Sequence, residues 1–263
     1  MESTQFTMKS FGLRNQRGSC WVNAALQAIF RIPDVQKRFS EGKHDTTNLV
    51  EVCLNTIWQS DGHQGLKDLY SVVNTTLMPA GEGIGDSHEL LEFLCDKVPF
   101  LDKMFRFRVQ NRLKCKNCEY TDGKFESMNE FPIVPSRPKQ SVSDAIEEAT
   151  KPYEISDWMC EKCKNKGCKK QLLLAAAFPQ ILTFHVTSLR STVSYSSILT
   201  LNKIEYALFA VVCFDGGHWW TYGRDMPPGK TWVCYNDMNV TSHGPKQFPM
   251  ADTMRLLMYY RLN

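Results

Sequence analysis

The stretch RNQRGSCWVNAALQAIF, residues 14–30, decides how the rest of the chain is read. A polar loop containing Gly18 runs into Cys20, and an apolar segment of helical period follows. The pattern predicts a helix over 20–32, with Pro33 closing it. A cysteine nucleophile attacks as thiolate, and the unpaired N–H groups of a helix N-terminus favour that form. Asn15, five residues earlier on the loop, offers a side-chain amide to a developing oxyanion. Position alone does not separate this reading from a buried structural cysteine, because free cysteine is among the most buried residue types. A partner histidine would.

Six histidines are available: His44, His63, His88, His185, His218 and His243. His44, His63 and His243 lie in polar stretches that read as solvated surface. His88 is on an amphipathic helix, and His185 lies in the apolar strand ILTFHVTSL, a structural setting. His218 differs, because CFDGG precedes it and WWTYG follows. The glycines allow close approach, and the aromatics can fix the ring and exclude water, which a general base needs. HWWTYG and TWVCYN read as a hairpin joined by RDMPPGK. With the turn centred near Pro227, His218 is expected to face Asn236, which can hold one imidazole nitrogen while the other faces the thiol. Strand alternation then puts Asp237 on the opposite face unless the strand is bulged.

The chain has 263 residues, 43% of them hydrophobic, enough for a substantial core. Its net charge of +3 makes no case for nucleic acid or an anionic membrane as a partner, and a monomer is expected. Apolar runs such as LLLAAAF and LFAVVCF are far too short to span a bilayer. The opening MESTQFTMKSFGL carries no secretory signal pattern. Among ten cysteines, four form two CxxC pairs, which without a secretory signal read as metal ligands rather than disulfides. A reducing compartment, cytoplasmic or nuclear, is expected.

Helical patterns occupy the first hundred residues: a mixed period over 45–78, the glycine-rich loop MPAGEGIG, then DSHELLEFLCDKV as an amphipathic helix. From Phe105 the pattern alternates as strands do, with SVSDAIEEA as a short capped helix. Strands are expected over 181–187, 206–214, 217–223, 231–236 and 254–261. Helices first and strands later make an α+β plan.

These residues together resemble the ubiquitin-specific protease family of cysteine deubiquitinases. GLRNQRGSCWVNAALQ is similar to its cysteine motif, with one extra residue between Asn15 and Gly18. GGHWW…TWVCYND is similar to its histidine motif, with Trp219 in place of tyrosine. IGDSHELL resembles its glutamine-rich helix motif without the glutamines, and DTMRLLMYYRL its final strand. The resemblance implies a papain-like cysteine protease hand in one catalytic domain, residues 1–263. A helical thumb would take about 1–104, zinc-bearing β fingers about 105–175, and a β palm about 176–263. It makes Cys20 the nucleophile, His218 the base, Asn236 the third member, Asn15 an oxyanion donor and Asp237 an auxiliary polar residue. The implied reaction is isopeptide cleavage after the C-terminal glycine of ubiquitin. The rivals are a protease for another ubiquitin-like modifier such as SUMO, and an inactive modifier-binding zinc module. Asp86 and Glu89, at i and i+3 on one helix face, would meet the arginines of the modifier's tail; the bland alternative for Asp86 is a helix N-cap. Two segments are shorter than the family usually shows, His185–Tyr206 and CFDGGHW, which implies an open cleft and leaves the choice of modifier unset.

Cys115, Cys118, Cys160 and Cys163 can supply the four thiolates of one structural zinc site, provided the two distant CxxC pairs meet in the fold. Cys168 is a spare able to replace Cys163.

Overall fold

The structure, a computed structural model, describes residues 9–78, 84–136, 139–174, 178–188, 192–226, 229–244 and 253–263. Six helices come first: α1 (Cys20–Ile29), α2 (Pro33–Ser40), α3 (Leu49–Gln59), α4 (Leu66–Leu77), α5 (Ser87–Lys97) and α6 (Pro99–Phe105). Helix α1 is shorter than expected. Its chain turns after Ile29, and Pro33 opens α2 at a position where the missing N–H costs nothing.

The rest is mostly strand, in two larger sheets and one small pair. The smaller of the larger sheets holds β1 (Phe107–Cys115), β2 (Thr121–Asp122), β3 (Phe125–Met128), β6 (Tyr153–Met159) and β7 (Lys166–Leu174), in the order β2-β1-β7-β6 with β3 also on β1. Between β3 and β6 the chain leaves this sheet. β4 (Phe131–Ile133) pairs parallel with β8 (Ile181–Val186), and β5 (Lys139–Ser141) pairs with β9 (Thr192–Ser194). Helix α7 (Val142–Thr150) carries a reciprocal cap: Ser141 Oγ accepts from Asp144 N at 3.0 Å, and the Asp144 carboxylate accepts from Ser141 N at 3.2 Å.

The larger sheet runs β14-β13-β12-β11-β15-β8-β4, with β10 (Ile198–Leu201) also on β11. Its other members are β11 (Ile204–Phe214), β12 (Trp219–Gly223), β13 (Trp232–Asn236), β14 (Asn239–His243) and β15 (Met254–Arg261). β11 is buried on both faces. Ala207, Phe209, Ala210 and Val212 join the core under the helices, while Tyr206, Leu208, Val211 and Cys213 join a second core on the far face. Phe209 and Ala210 share a face because the register with β15 shifts between Leu208 and Ala210.

Helix α1 is buried along its whole length. It packs on β12, where Thr221 Oγ1 donates to Ala24 O at 2.6 Å, and on the start of α5, where Ser87 Oγ donates to Trp21 O at 2.8 Å. Gly85 permits the second contact, since a Cβ there would lie 2.6 Å from the Trp21 ring. The helix bearing Cys20 is thus wedged between the helical layer and the strand that follows His218.

Candidate active site

Cys20 is the first residue of α1 and is 2% exposed. No side chain caps this helix. Ser19, at the cap position, instead accepts from Gln16 N at 2.8 Å, closing the loop ahead of the helix. The first N–H groups of α1 are therefore left for the site, where those of Cys20 and Trp21, with that of Trp219, favour the thiolate. The direction of the thiol's pKa is nonetheless upward, against the expectation from helix position. Burial is the main cause, and the negative charge of Asp237 adds to it against the N–H donors. The resting thiol needs a base.

His218 precedes β12 by one residue. Asp215 fixes its backbone, accepting from Gly217 N at 2.9 Å and His218 N at 2.8 Å. These two amides hold the Asp215 carboxyl below its usual value. His218 Nε2 lies 2.7 Å from Asn236 Oδ1. An amide oxygen only accepts, so this contact places the imidazole proton on Nε2 and leaves the other nitrogen basic. The Trp220 ring lies parallel to the imidazole, centroids 6.4 Å apart.

The hairpin register differs from the expected one by two residues. Thr221 pairs with Tyr235, Tyr222 with Cys234 and Gly223 with Val233. Continued outward, that register sets Asn236 across from Trp220. His218 reaches it on the diagonal, and since the shift is even the face is unchanged.

Asp237 does not follow strand alternation. β13 ends at Asn236, and Asp237 takes the left-handed conformation, φ 52°. Its Oδ1 accepts from Asn23 Nδ2 at 2.7 Å, its Oδ2 from Asn15 Nδ2 at 2.9 Å, and its backbone O from Leu13 N at 2.9 Å. Oδ2 also lies 3.9 Å from His218 Nε2. Asp237 thus ties the cysteine loop to the histidine hairpin. Gly12 permits this closeness, because a Cβ there would meet Met238 O at 2.5 Å. Asn15 is held at both ends: Oδ1 accepts from Gly18 N and Ser19 N, each at 3.1 Å, and Nδ2 donates one hydrogen to Asp237.

Sequence reasoning did not single out Asp215 or Asn23. An Asp two residues before Gly-His is an Asx-turn signal that marks Asp215. Asn23 carries no such local signal, since its partner is more than two hundred residues away.

Asp86 caps α5, its Oδ1 accepting from His88 N at 2.9 Å, and Glu89 is exposed in the first turn. Most of the glycine-rich loop ahead of them, residues 79–83, lies outside the described residues. Trp21 and Trp219 are both buried, Trp219 stacked on Phe214 at 4.5 Å, so both pack.

At the far end of the smaller sheet, Cys115, Cys118, Cys160 and Cys163 bring their sulfurs within 4.8 Å of one another. Cys115 and Cys163 lie 3.7 Å apart, as do Cys118 and Cys160. A tetrahedron of ~2.3 Å metal–sulfur bonds has edges of about 3.8 Å, so the set fits one ion of zinc's size. Asn117 N donates to Cys115 Sγ at 3.4 Å and is the main cause that holds this thiol down, to about 7. Cys168 lies opposite Cys115 in the register but is not among the clustered sulfurs.

The sequence profile of the ubiquitin carboxyl-terminal hydrolase family matches residues 11–259, and the chain belongs to that family. Ubl carboxyl-terminal hydrolase 18 of Pongo abelii is 26% identical over 214 residues, covering 63% of this chain and 57% of that protein. Ubiquitin carboxyl-terminal hydrolase 17-like protein D of Mus musculus is 25% identical over 284 residues, covering 88% of this chain and 51% of that protein. The chain thus spans a little over half the length of these two curated relatives. The fold is similar to that in the SAGA Ubp8/Sgf11/Sus1/Sgf73 DUB module bound to ubiquitin aldehyde, with TM-score 0.81, 15% identity, and coverage of 99% of this chain and 71% of that one. The α+β hand, with its helical thumb, β palm and cysteine-bearing β fingers, is therefore the fold this chain shares with that module.

Proposed function

We propose that this chain is a cysteine-type deubiquitinase that hydrolyses the isopeptide bond after the C-terminal glycine of ubiquitin. The observation that carries the reading is Cys20 at the uncapped N-terminus of α1, the helix packed on the strand that follows His218, with His218 paired to Asn236, within a chain of this family. The basic nitrogen of His218 takes the Cys20 proton as sulfur attacks the glycine carbonyl. The tetrahedral oxyanion is received by the N–H groups at the start of α1 and by the second amide hydrogen of Asn15. The imidazolium then protonates the departing lysine amine, leaving a thioester. His218 next activates water to hydrolyse it. Asn236 orients the imidazole without adding charge, and Asp237 holds Asn15 in place.

Four thiolates close a coordination sphere, so zinc held by Cys115, Cys118, Cys160 and Cys163, one per chain, would be structural. It would tie the β1–β2 turn to the β6–β7 turn. The family's division into thumb, fingers and palm applies within this one domain. Two CxxC pairs placed together as metal ligands support a reducing cytoplasmic or nuclear setting. The domain is taken to act as a monomer.

A ubiquitin-like modifier is the second reading. It is favoured by the similarity to a protein named Ubl carboxyl-terminal hydrolase 18. Fluorogenic ubiquitin and a panel of fluorogenic ubiquitin-like modifiers, tested on wild type and Cys20→Ala, decide between them. Turnover of ubiquitin that Cys20→Ala abolishes supports the first reading, and turnover confined to another modifier supports the second. Binding without turnover by wild type would leave only a modifier-binding module.

A further inference from the structure

Away from Cys20, one buried carboxylate joins the thumb to the palm. Glu130, just before β4, is 7% exposed. Its Oε1 lies 2.7 Å from His88 Nδ1 of α5 and 3.2 Å from His185 Nδ1 of β8. The two imidazoles stack with centroids 4.0 Å apart and planes 23° from parallel. All three residues line a cavity of about 600 Å³, through which protons can exchange with solvent. His88 stands in the first turn of α5, between Ser87, which docks on Trp21 of the cysteine helix, and the exposed Glu89.

A buried carboxylate needs a compensating charge, and Glu130 Oε2 has no hydrogen-bond partner among the described residues, so the imidazoles at Oε1 must supply it. Rings stacked this closely cannot both be charged without repulsion, so one proton serves the pair. Burial works against a charge on His88, but Glu130, Glu92 and Asp86 outweigh it and lift the His88 pKa above its ordinary 6.5. Burial likewise pushes the Glu130 carboxyl up, and His185 and His88 outweigh it and hold that group below its ordinary 4.5. With the imidazole pKa raised, the pair's stabilisation is complete at pH 6.5 and is lost as pH climbs through the higher folded value. On the acid side it is lost only as pH falls from 4.5 through the lower folded value of Glu130.

Other charges face this group. Glu92 Oε2 of α5 lies 3.9 Å from His88 Nε2, and Asp86 at the helix cap adds to its pull. Asp96 of α5 lines the same cavity, as does Asp102 of α6, which pairs with Arg106 at 2.7 Å. The Cys95 thiol, pushed up to about 12 by burial, is neutral. Arg255 of β15 interacts with Asp86 and donates to Val186 O at 2.9 Å. Among these side chains the imidazoles are the ones that titrate near neutral pH. We propose that His88, Glu130 and His185 form a proton-dependent clamp that holds the first turn of α5 against β4 and β8, and so positions that turn for the modifier. The proposal rests on the deubiquitinase reading above, in which Glu89 and its neighbours meet the modifier's tail. Loss of the shared proton loosens the clamp and weakens modifier binding without touching the chemistry at Cys20.

The test compares the whole wild-type chain with His88→Gln and Glu130→Gln, each of which removes one partner's charge and keeps a polar side chain. Steady-state kcat and KM are read with fluorogenic ubiquitin, or with the fluorogenic modifier the chain turns over, from pH 6.5 to about pH 9. Ratios of variant to wild type at each pH cancel the titration of Cys20 and His218, which all three proteins share. Expected at pH 6.5 is a KM roughly fivefold above wild type with kcat near wild type, the KM ratio for His88→Gln closing toward one as pH rises. Denaturant unfolding over the same range reads the clamp without any modifier, and wild type should lose its stability advantage over His88→Gln as pH rises. If one variant does not fold, the other carries the comparison. A KM ratio that stays at one or does not change with pH overturns the proposal, as does a fall in kcat that matches the rise in KM. An unfolding advantage that closes with pH while KM stays unchanged also overturns it, leaving a pair that only stabilises the fold. No turnover of any modifier, with the unfolding pattern intact, overturns the deubiquitinase reading and with it the clamp's part in binding.

Discussion

Burial and the Asp237 charge push the Cys20 thiol up while three backbone N–H groups pull it down. The thiolate is therefore a minority form at neutral pH, and in the proposed mechanism its formation leans on His218. The alkylation rate of Cys20 by iodoacetamide, with Cys20→Ala as the blank, should rise through a midpoint above that of a free cysteine. A midpoint well below it would mean a preformed thiolate. Because the base matters, Asn236→Ala should lower kcat by roughly 10²-fold with little change in melting temperature. Asp237→Ala should act differently. It deletes the acceptor of both Asn15 and Asn23, so stability should fall by about 2 kcal/mol, with kcat also reduced through Asn15. Steady-state kinetics and denaturant unfolding of the two variants separate these roles, and a destabilised Asn236→Ala beside a stable Asp237→Ala would reverse them. At this scale the sequence was readable where chemistry is local: Cys20 at a helix start, His218 behind Gly-Gly. The His218–Asn236 pairing was reached through a hairpin register two residues out, and the face was preserved only because the error was even. Asp237 was assigned by alternation, which ends where the chain turns at a positive φ.

Between elements, the junction that positions the cysteine helix is Trp21 against Gly85 and Ser87. Gly85→Ala should therefore lower the melting temperature and raise KM together, since the shift it forces lies at the start of α5, beside Asp86 and Glu89. Unchanged melting would show that the helices slip apart without cost. In the fingers, Cys115→Ser leaves three thiolates around the proposed zinc. Circular dichroism and limited proteolysis should then report loss of the β1–β7 sheet, and metal analysis far less than one zinc per chain; full zinc retention would contradict the four-sulfur assignment. Element types followed from period and capping, as with α5, α7, β8, β11 and β15. Boundaries did not, because Pro33 reads equally as a helix stop and a helix start. β4 lay within the alternating run from Phe105 but was not resolved as a separate strand, and β14 was invisible, an exposed edge whose partner is set by tertiary pairing.

For the whole molecule, the order of elements places the proposed nucleophile near the beginning of the chain and its proposed base near the end. Two core layers on either side of β11 hold the halves together. Attack of Cys20 on the C-terminal glycine of a ubiquitin-type modifier, the step proposed above, is read directly by intact mass after incubation with ubiquitin carrying a C-terminal electrophile, followed by peptide mapping. One covalently attached ubiquitin per chain is expected, mapped to Cys20 and absent in Cys20→Ala. A folded protein that forms no adduct with ubiquitin or any ubiquitin-like probe, or an adduct that persists in Cys20→Ala, would contradict it.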